Sequence, residues 1–166
     1  YIHRSDLQLP QAALLALENE TRTFIRMVLQ FAQEAFQLKD SSCRDTTIKK
    51  RYQSMNVQEK YDHLKFLYGD IHGFCIRLHQ QVLGQEEASK LERLVAAIRN
   101  AMYAAKSIKD AIPDMHQLEH SSNDIKSAFY GQTKEVLLLF SQKACPLLDI
   151  AHTPLVEELA EIYRKV

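Results

Sequence analysis

Residues 14 to 38 read LLALENETRTFIRMVLQFAQEAFQL, and their spacing decides the fold class. Leu14, Leu17, Thr21, Phe24, Val28, Phe31, Ala35 and Leu38 recur at alternating steps of three and four. That period places them on one face of an α-helix. Ile25, Leu29, Ala32 and Phe36 broaden the stripe, as expected of a helix packed between two neighbours. Pro10 suits the first helical turn, where its missing N–H costs nothing. A rod of roughly 45 Å follows from some thirty residues at about 1.5 Å each.

The same period returns further along. Tyr61, Leu64, Tyr68, Ile71, Cys75, Leu78 and Val82 define a second rod, starting near Asn56. Gly69 and Gly73 fall inside it, which suggests a neighbouring helix in close approach. Gly84 reads as the residue that stops this helix, with Glu86 and Glu87 opening the next. The third rod carries Leu91, Leu94, Ile98, Ala101, Ala105, Ile108 and Ile112, with an alanine-rich middle suited to tight packing. Pro113 ends or kinks it, and Met115 and Glu119 continue its core phase. Ser121, Ser122 and Asn123 offer a cap for a fourth helix bearing Ile125, Phe129, Val136 and Leu139, which Pro146 interrupts. Thr153-Pro154 opens a last helix with Leu155, Leu159, Ile162 and Val166 on one face. The polar stretch 40 to 53 reads as a loop with at most a short helical turn. Nothing alternates with a period of two. The expectation is an all-α antiparallel bundle of long helices.

Composition narrows the function. The chain has 166 residues, with 21 basic and 21 acidic side chains in balance. Such a chain has no net field to attract nucleic acid or an anionic membrane. No Gly-rich phosphate loop, nucleophile elbow or Ser-His-Asp order appears, so the reading is non-enzymatic and calls for no cofactor. Cys43, Cys75 and Cys145 are odd in number and widely spaced, which favours reduced thiols over a disulfide scaffold. The longest apolar run, Val136 to Phe140, is far too short for a membrane span. The chain starts at Tyr1, and its last helix is still in phase at Val166, so a longer native chain is expected.

Two constellations carry chemical interest. His116-Gln117-Leu118-Glu119-His120 has the H-x-x-E-H order of a group of zinc peptidases. On a helix, His116 and His120 share a face and could chelate an ion with Glu119. A peptidase also needs a third, distant ligand and a closed site, and the candidates Glu157, Glu158 and Glu161 lie on a terminal helix with no second domain to close a cleft. Metal binding by this trio is therefore the weaker alternative, and a solvated polar face the simpler one. Carboxylates grouped along the helices, Glu18 with Glu20 among them, also read as solvation. The second constellation, Arg99, Tyr103, Lys106 and Asp110, runs in three- and four-residue steps beside the alanine-rich seam. It could bind an anion or a partner's carboxylates. It could equally be ordinary intrahelical pairing.

Four stretches together carry a family resemblance: LPQAALLALENETRTFIRMV, KYDHLKFLYGDIHGFCIRL, LGQEEASKLERLVAAIRNAMYAAKSIKDAI and HSSNDIKSAFY. They resemble the cytoplasmic PhoU-like domain of bacterial sodium/phosphate cotransporters, over most of residues 8 to 140. The best markers are AAKSIKD preceded by an Arg, and SSND followed by FY. The resemblance implies a three-helix PhoU-like repeat over residues 8–119, with residues 120–166 as part of a second repeat on the same bundle. It implies a regulatory or interaction role on the cytoplasmic side of the inner membrane, in the soluble part of an integral membrane protein. The implied partners are the transporter's membrane domain in cis, a second copy or a signalling protein. A free-standing PhoU-like phosphate-signalling regulator is the alternative of the same kind, and a metal-binding helical-bundle protein is one of another class. PhoU proteins of the metal-binding type carry E-x-x-x-D on the third helix of each repeat. This chain has Arg99 and Tyr103 there, a pair that cannot hold a cation, so the family's metal cluster does not carry over.

Overall fold

A computed structural model describes residues 10–39 and 50–148, and every regular element among them is helical. The order is α1 (Pro10–Ala35), α2 (Lys50–Gln53), α3 (Val57–His79), α4 (Gln85–Glu119) and α5 (Asp124–Leu147). The all-α bundle expected from periodicity is what forms. The proposed helix after Thr153 lies outside the described residues, as does the loop 40–49.

α1 is the central rod. Leu14, Leu17, Thr21, Phe24, Val28 and Phe31 are all buried, and so are Ile25, Leu29 and Ala32 on the broader side of the stripe. One face joins Leu64, Ile71 and Leu78 of α3 and Leu91, Ile98 and Ala105 of α4 in the main core. The other face, through Ile25 and Leu29, meets Ala144, Cys145 and Leu148 at the end of α5. Burying a side chain of Leu or Phe size contributes about 1.5–3 kcal/mol, so the rod's two-sidedness is what holds four helices together. Thr21 is accommodated in the core because its hydroxyl donates to the Leu17 carbonyl at 2.7 Å.

α1 stops at Ala35, earlier than its stripe. Gln37 turns into the left-handed region with φ 52°, and Leu38 N–H reaches back to the Gln33 carbonyl at 2.7 Å. This is a Schellman closure with glutamine where glycine is usual.

α3 begins where its sequence signals place it. The Asn56 side chain accepts from Glu59 N–H at 2.9 Å, and Glu59 accepts from Asn56 N–H at 2.8 Å, a reciprocal capping box. Its seam holds from Tyr61 to Leu78, but Val82 is 97% exposed because the helix ends at His79. Gly84 does not stop α3. It sits in extended backbone (φ −66°) as the N-cap of α4, and the Glu87 carboxylate accepts from its N–H at 3.0 Å. Nor do Gly69 and Gly73 mark a close helix approach. A Cβ at Gly69 would meet nothing within 4 Å, and at Gly73 only the Arg77 guanidinium at 3.5 Å. Both glycines lie within α3 on a face that no helix covers among the described residues.

α4, at 35 residues about 52 Å long, runs through Pro113 without ending. Met115 stays in the core phase as expected, but Glu119 is exposed, since α4 has by then outrun its neighbours. Asn123 caps α5 by accepting from Ile125 and Lys126 N–H at 3.0 and 3.1 Å. α5 also includes Pro146 rather than breaking there.

Candidate functional site

Four regions could support a function: the Arg99 stripe, the HQLEH turn, a buried polar junction and the open side of α5. Arg99, Tyr103, Lys106 and Asp110 are all exposed on α4. Lys106 Nζ stands 3.0 Å from Asp110 Oδ2, an i,i+4 pair that raises the ammonium's pKa through that hydrogen bond. Tyr103 is 61% exposed. The structure thus joins Lys106 to Asp110 and leaves the stripe flat and open to water, where such a pair contributes little.

His116, Glu119 and His120 come together in the last turn of α4, all three exposed. Their candidate ligand atoms lie within 4.8 Å of one another. The two imidazoles stack with centroids 4.6 Å apart and an interplanar angle of 12°.

A third constellation was not legible in the sequence. Glu18 of α1 accepts from Arg22 Nη2 at 3.0 Å and lies 2.6 Å from Lys90 Nζ of α4. Arg22, itself buried, also donates through Nη1 to the Leu147 carbonyl at 3.2 Å, in the last turn of α5. One arginine and one glutamate therefore tie α1, α4 and α5 together, so Glu18 is not the solvated carboxylate its sequence neighbourhood suggested. Burial pushes the Glu18 carboxyl up, but hydrogen bonds from Lys90 and Arg22 outweigh it and hold the group below its usual range. The i,i+4 spacing of Glu18 and Arg22 was the only sequence signal. The long reach to Lys90 and Leu147 depends on tertiary packing.

A similar junction secures α2. The Tyr52 hydroxyl donates to the Met27 carbonyl of α1 at 2.9 Å, and burial drives its pKa well above the ordinary range. Lys60 of α3 pairs with Glu34 of α1 and sits 5.6 Å over the Tyr52 ring. Tyr52 lies in the polar stretch 40 to 53, which the sequence marked only as a loop.

The cysteines depart from the expectation of reduced thiols. Cys145 is disulfide-bonded, Cys75 is free and buried, and Cys43 lies outside the described residues. Count and spacing cannot say which cysteines the fold brings together. Burial pushes the Cys75 thiol up to about 11, which makes it a core side chain rather than a nucleophile.

α5 carries four exposed large hydrophobic residues at helical spacing. Ile125 is 80% exposed, Phe129 57%, and Val136 and Leu139 are exposed with them. These are the four apolar residues that the sequence gives the fourth helix. Only the last turns of α5, through Ser141, Ala144 and Cys145, are buried against the bundle. Among the described residues, no helix is long and apolar enough to cross a membrane.

No family model, curated protein or solved structure matches the chain, so the reading of these sites rests on their own geometry and on the sequence resemblance.

Proposed function

We propose that this chain is a regulatory and interaction domain of a sodium-dependent phosphate transporter. It modulates phosphate transport through contacts of its helix faces, not by catalysis. The reading rests on the PhoU-like sequence stretches between residues 8 and 140. The single structural observation that carries it is the uncovered stripe Ile125, Phe129, Val136 and Leu139 on α5. Fourteen residues separate its ends, about 21 Å of helix, which matches the length over which two packed helices meet. Exposed apolar side chains grouped on one helix face suit an interaction site. On this reading α5 opens the partial second repeat, residues 120–166, beside the three-helix repeat at residues 8–119. The stripe's occupant is then an apolar helix of the same transporter polypeptide, with the membrane domain as the partner in cis.

The Arg99 stripe supports the reading less strongly. Lys106 is already paired within its own helix, so an acidic partner would have to compete with Asp110.

The test is phosphate uptake by the transporter that carries this chain, with Phe129→Asp and Val136→Asp introduced singly. Each variant should leave the melting of the isolated chain nearly unchanged, because the side chains are exposed. Each should change uptake, or its response to external phosphate, severalfold. Wild-type uptake in both variants, at low and at high phosphate, would refute the reading.

A further inference from the structure

The last turn of α4 carries a second property, independent of the transporter reading. His116, Glu119 and His120 occupy positions i, i+3 and i+4, so all three side chains leave the helix on one side. The two imidazoles stack nearly parallel, so the rings lie side by side on that face. His120 Nδ1 lies 2.9 Å from the His116 carbonyl oxygen. A carbonyl oxygen can only accept, so this contact is a hydrogen bond in the tautomer whose proton sits on Nδ1. In the neutral ring the lone pair then belongs to Nε2, on the outer edge. A backbone carbonyl that fixes the tautomer in this way is the usual support behind a metal-ligating histidine. The turn is also the C-terminal end of a 35-residue helix, where the unpaired carbonyls favour positive charge.

We infer that His116, Glu119 and His120 form a binding site for a borderline divalent transition-metal ion of the zinc class. The ligands are one ring nitrogen from each histidine, Nε2 in His120, and one Glu119 carboxylate oxygen, with water completing the shell. Two imidazole nitrogens at about 2.0–2.1 Å from one tetrahedral ion stand about 3.3 Å apart. The present separation, up to 4.8 Å, closes by side-chain rotation, which exposed residues can make without disturbing the core. A donor set of two nitrogens and one oxygen favours zinc, copper or nickel over magnesium or calcium. The site sits immediately before residues 121–123, which lead into α5. An ion there fastens the final turn of α4 and thereby the point from which α5 departs.

The probe is Zn²⁺ itself, titrated by calorimetry into tag-free, chelator-treated chain, with Co²⁺ absorption as a second readout. The expected result is one equivalent of Zn²⁺, with affinity falling at least tenfold in His116→Ala and in His120→Ala. Glu119→Gln should weaken binding by a smaller factor. Hydrogen exchange at the amides of residues 117–121 should slow on zinc addition in the wild type and not in the histidine variants. Circular dichroism of the variants should match the wild type, because none of the three residues is buried. The inference is overturned if saturation needs millimolar Zn²⁺. It is equally overturned if the double histidine variant still binds one equivalent at wild-type affinity, which would place the ion elsewhere. Neither result bears on phosphate uptake, so this site and the regulatory role fail separately.

Discussion

α1 and α5 are close in length, 26 and 24 residues, and both are rich in apolar side chains, yet the bundle treats them oppositely. Fourteen residues of α1 are buried, against three in α5. The difference lies in neighbours rather than in composition. α1 runs between α3 and α4 on one side and meets α5 on the other. α5 touches the bundle through its last turns and through the arginine bridge from Arg22 to Leu147. An amphipathic stripe states that a helix wants a partner. It does not state that the partner is present.

The largest effect should come from matched truncations. Phe24→Ala, at a residue 1% exposed in the main core, should cost about 3–5 kcal/mol in urea unfolding. Phe129→Ala, the same substitution on α5, should stay within about 0.5 kcal/mol. Similar losses at both sites would mean that α5 is as well covered as α1, and would undo the contrast.

The polar bridge between the two helices sets an intermediate effect. Arg22→Ala removes hydrogen bonds to Glu18 and to the Leu147 carbonyl and should cost about 1–3 kcal/mol. The Glu18 carboxyl is held below its ordinary value of 4.5 by Lys90 and Arg22. Its contribution is therefore complete above about pH 4.5 and is lost as pH falls through the lower folded value. Glu18→Gln should accordingly be less stable at neutral pH, while its stability declines less steeply than the wild type below pH 4.5. Parallel wild-type and variant curves across that range would show that Glu18 is not coupled to the fold.

The smallest effect concerns the end of α1. Gln37 holds a left-handed conformation that disfavours any residue with a Cβ. Gln37→Gly should raise stability by about 0.5–1 kcal/mol, after allowing for the greater freedom glycine gives the unfolded chain. A loss of stability would mean that the glutamine side chain makes a contribution larger than that strain.

The sequence made α1, α3 and α4 legible because buried helices display their period without ambiguity. Leu64, Ile71 and Leu78 could be placed in the core from spacing alone, and the capping chemistry of Ser121 to Asn123 announced the start of α5. The four apolar residues of α5 have the same spacing but no cover among the described residues, since periodicity records a preference and not an outcome. Gly84 was misassigned because glycine serves at either end of a helix, and only its extended backbone shows which. The Glu18–Arg22–Lys90 junction was invisible for a different reason: its partners are 72 residues apart in the chain. The HQLEH turn could be read as a local cluster, because four residues of helix bring its ends together whatever the fold. The approach of His120 Nδ1 to the His116 carbonyl oxygen could not.

Cys75 gives the bundle its own clock. Its thiol lies in the seam between helices and holds its proton tightly, so an alkylating reagent can reach it only while the rods have parted. The rate at which peptide mapping finds that one side chain modified therefore counts breathing events of the native molecule, without denaturant and without an engineered probe.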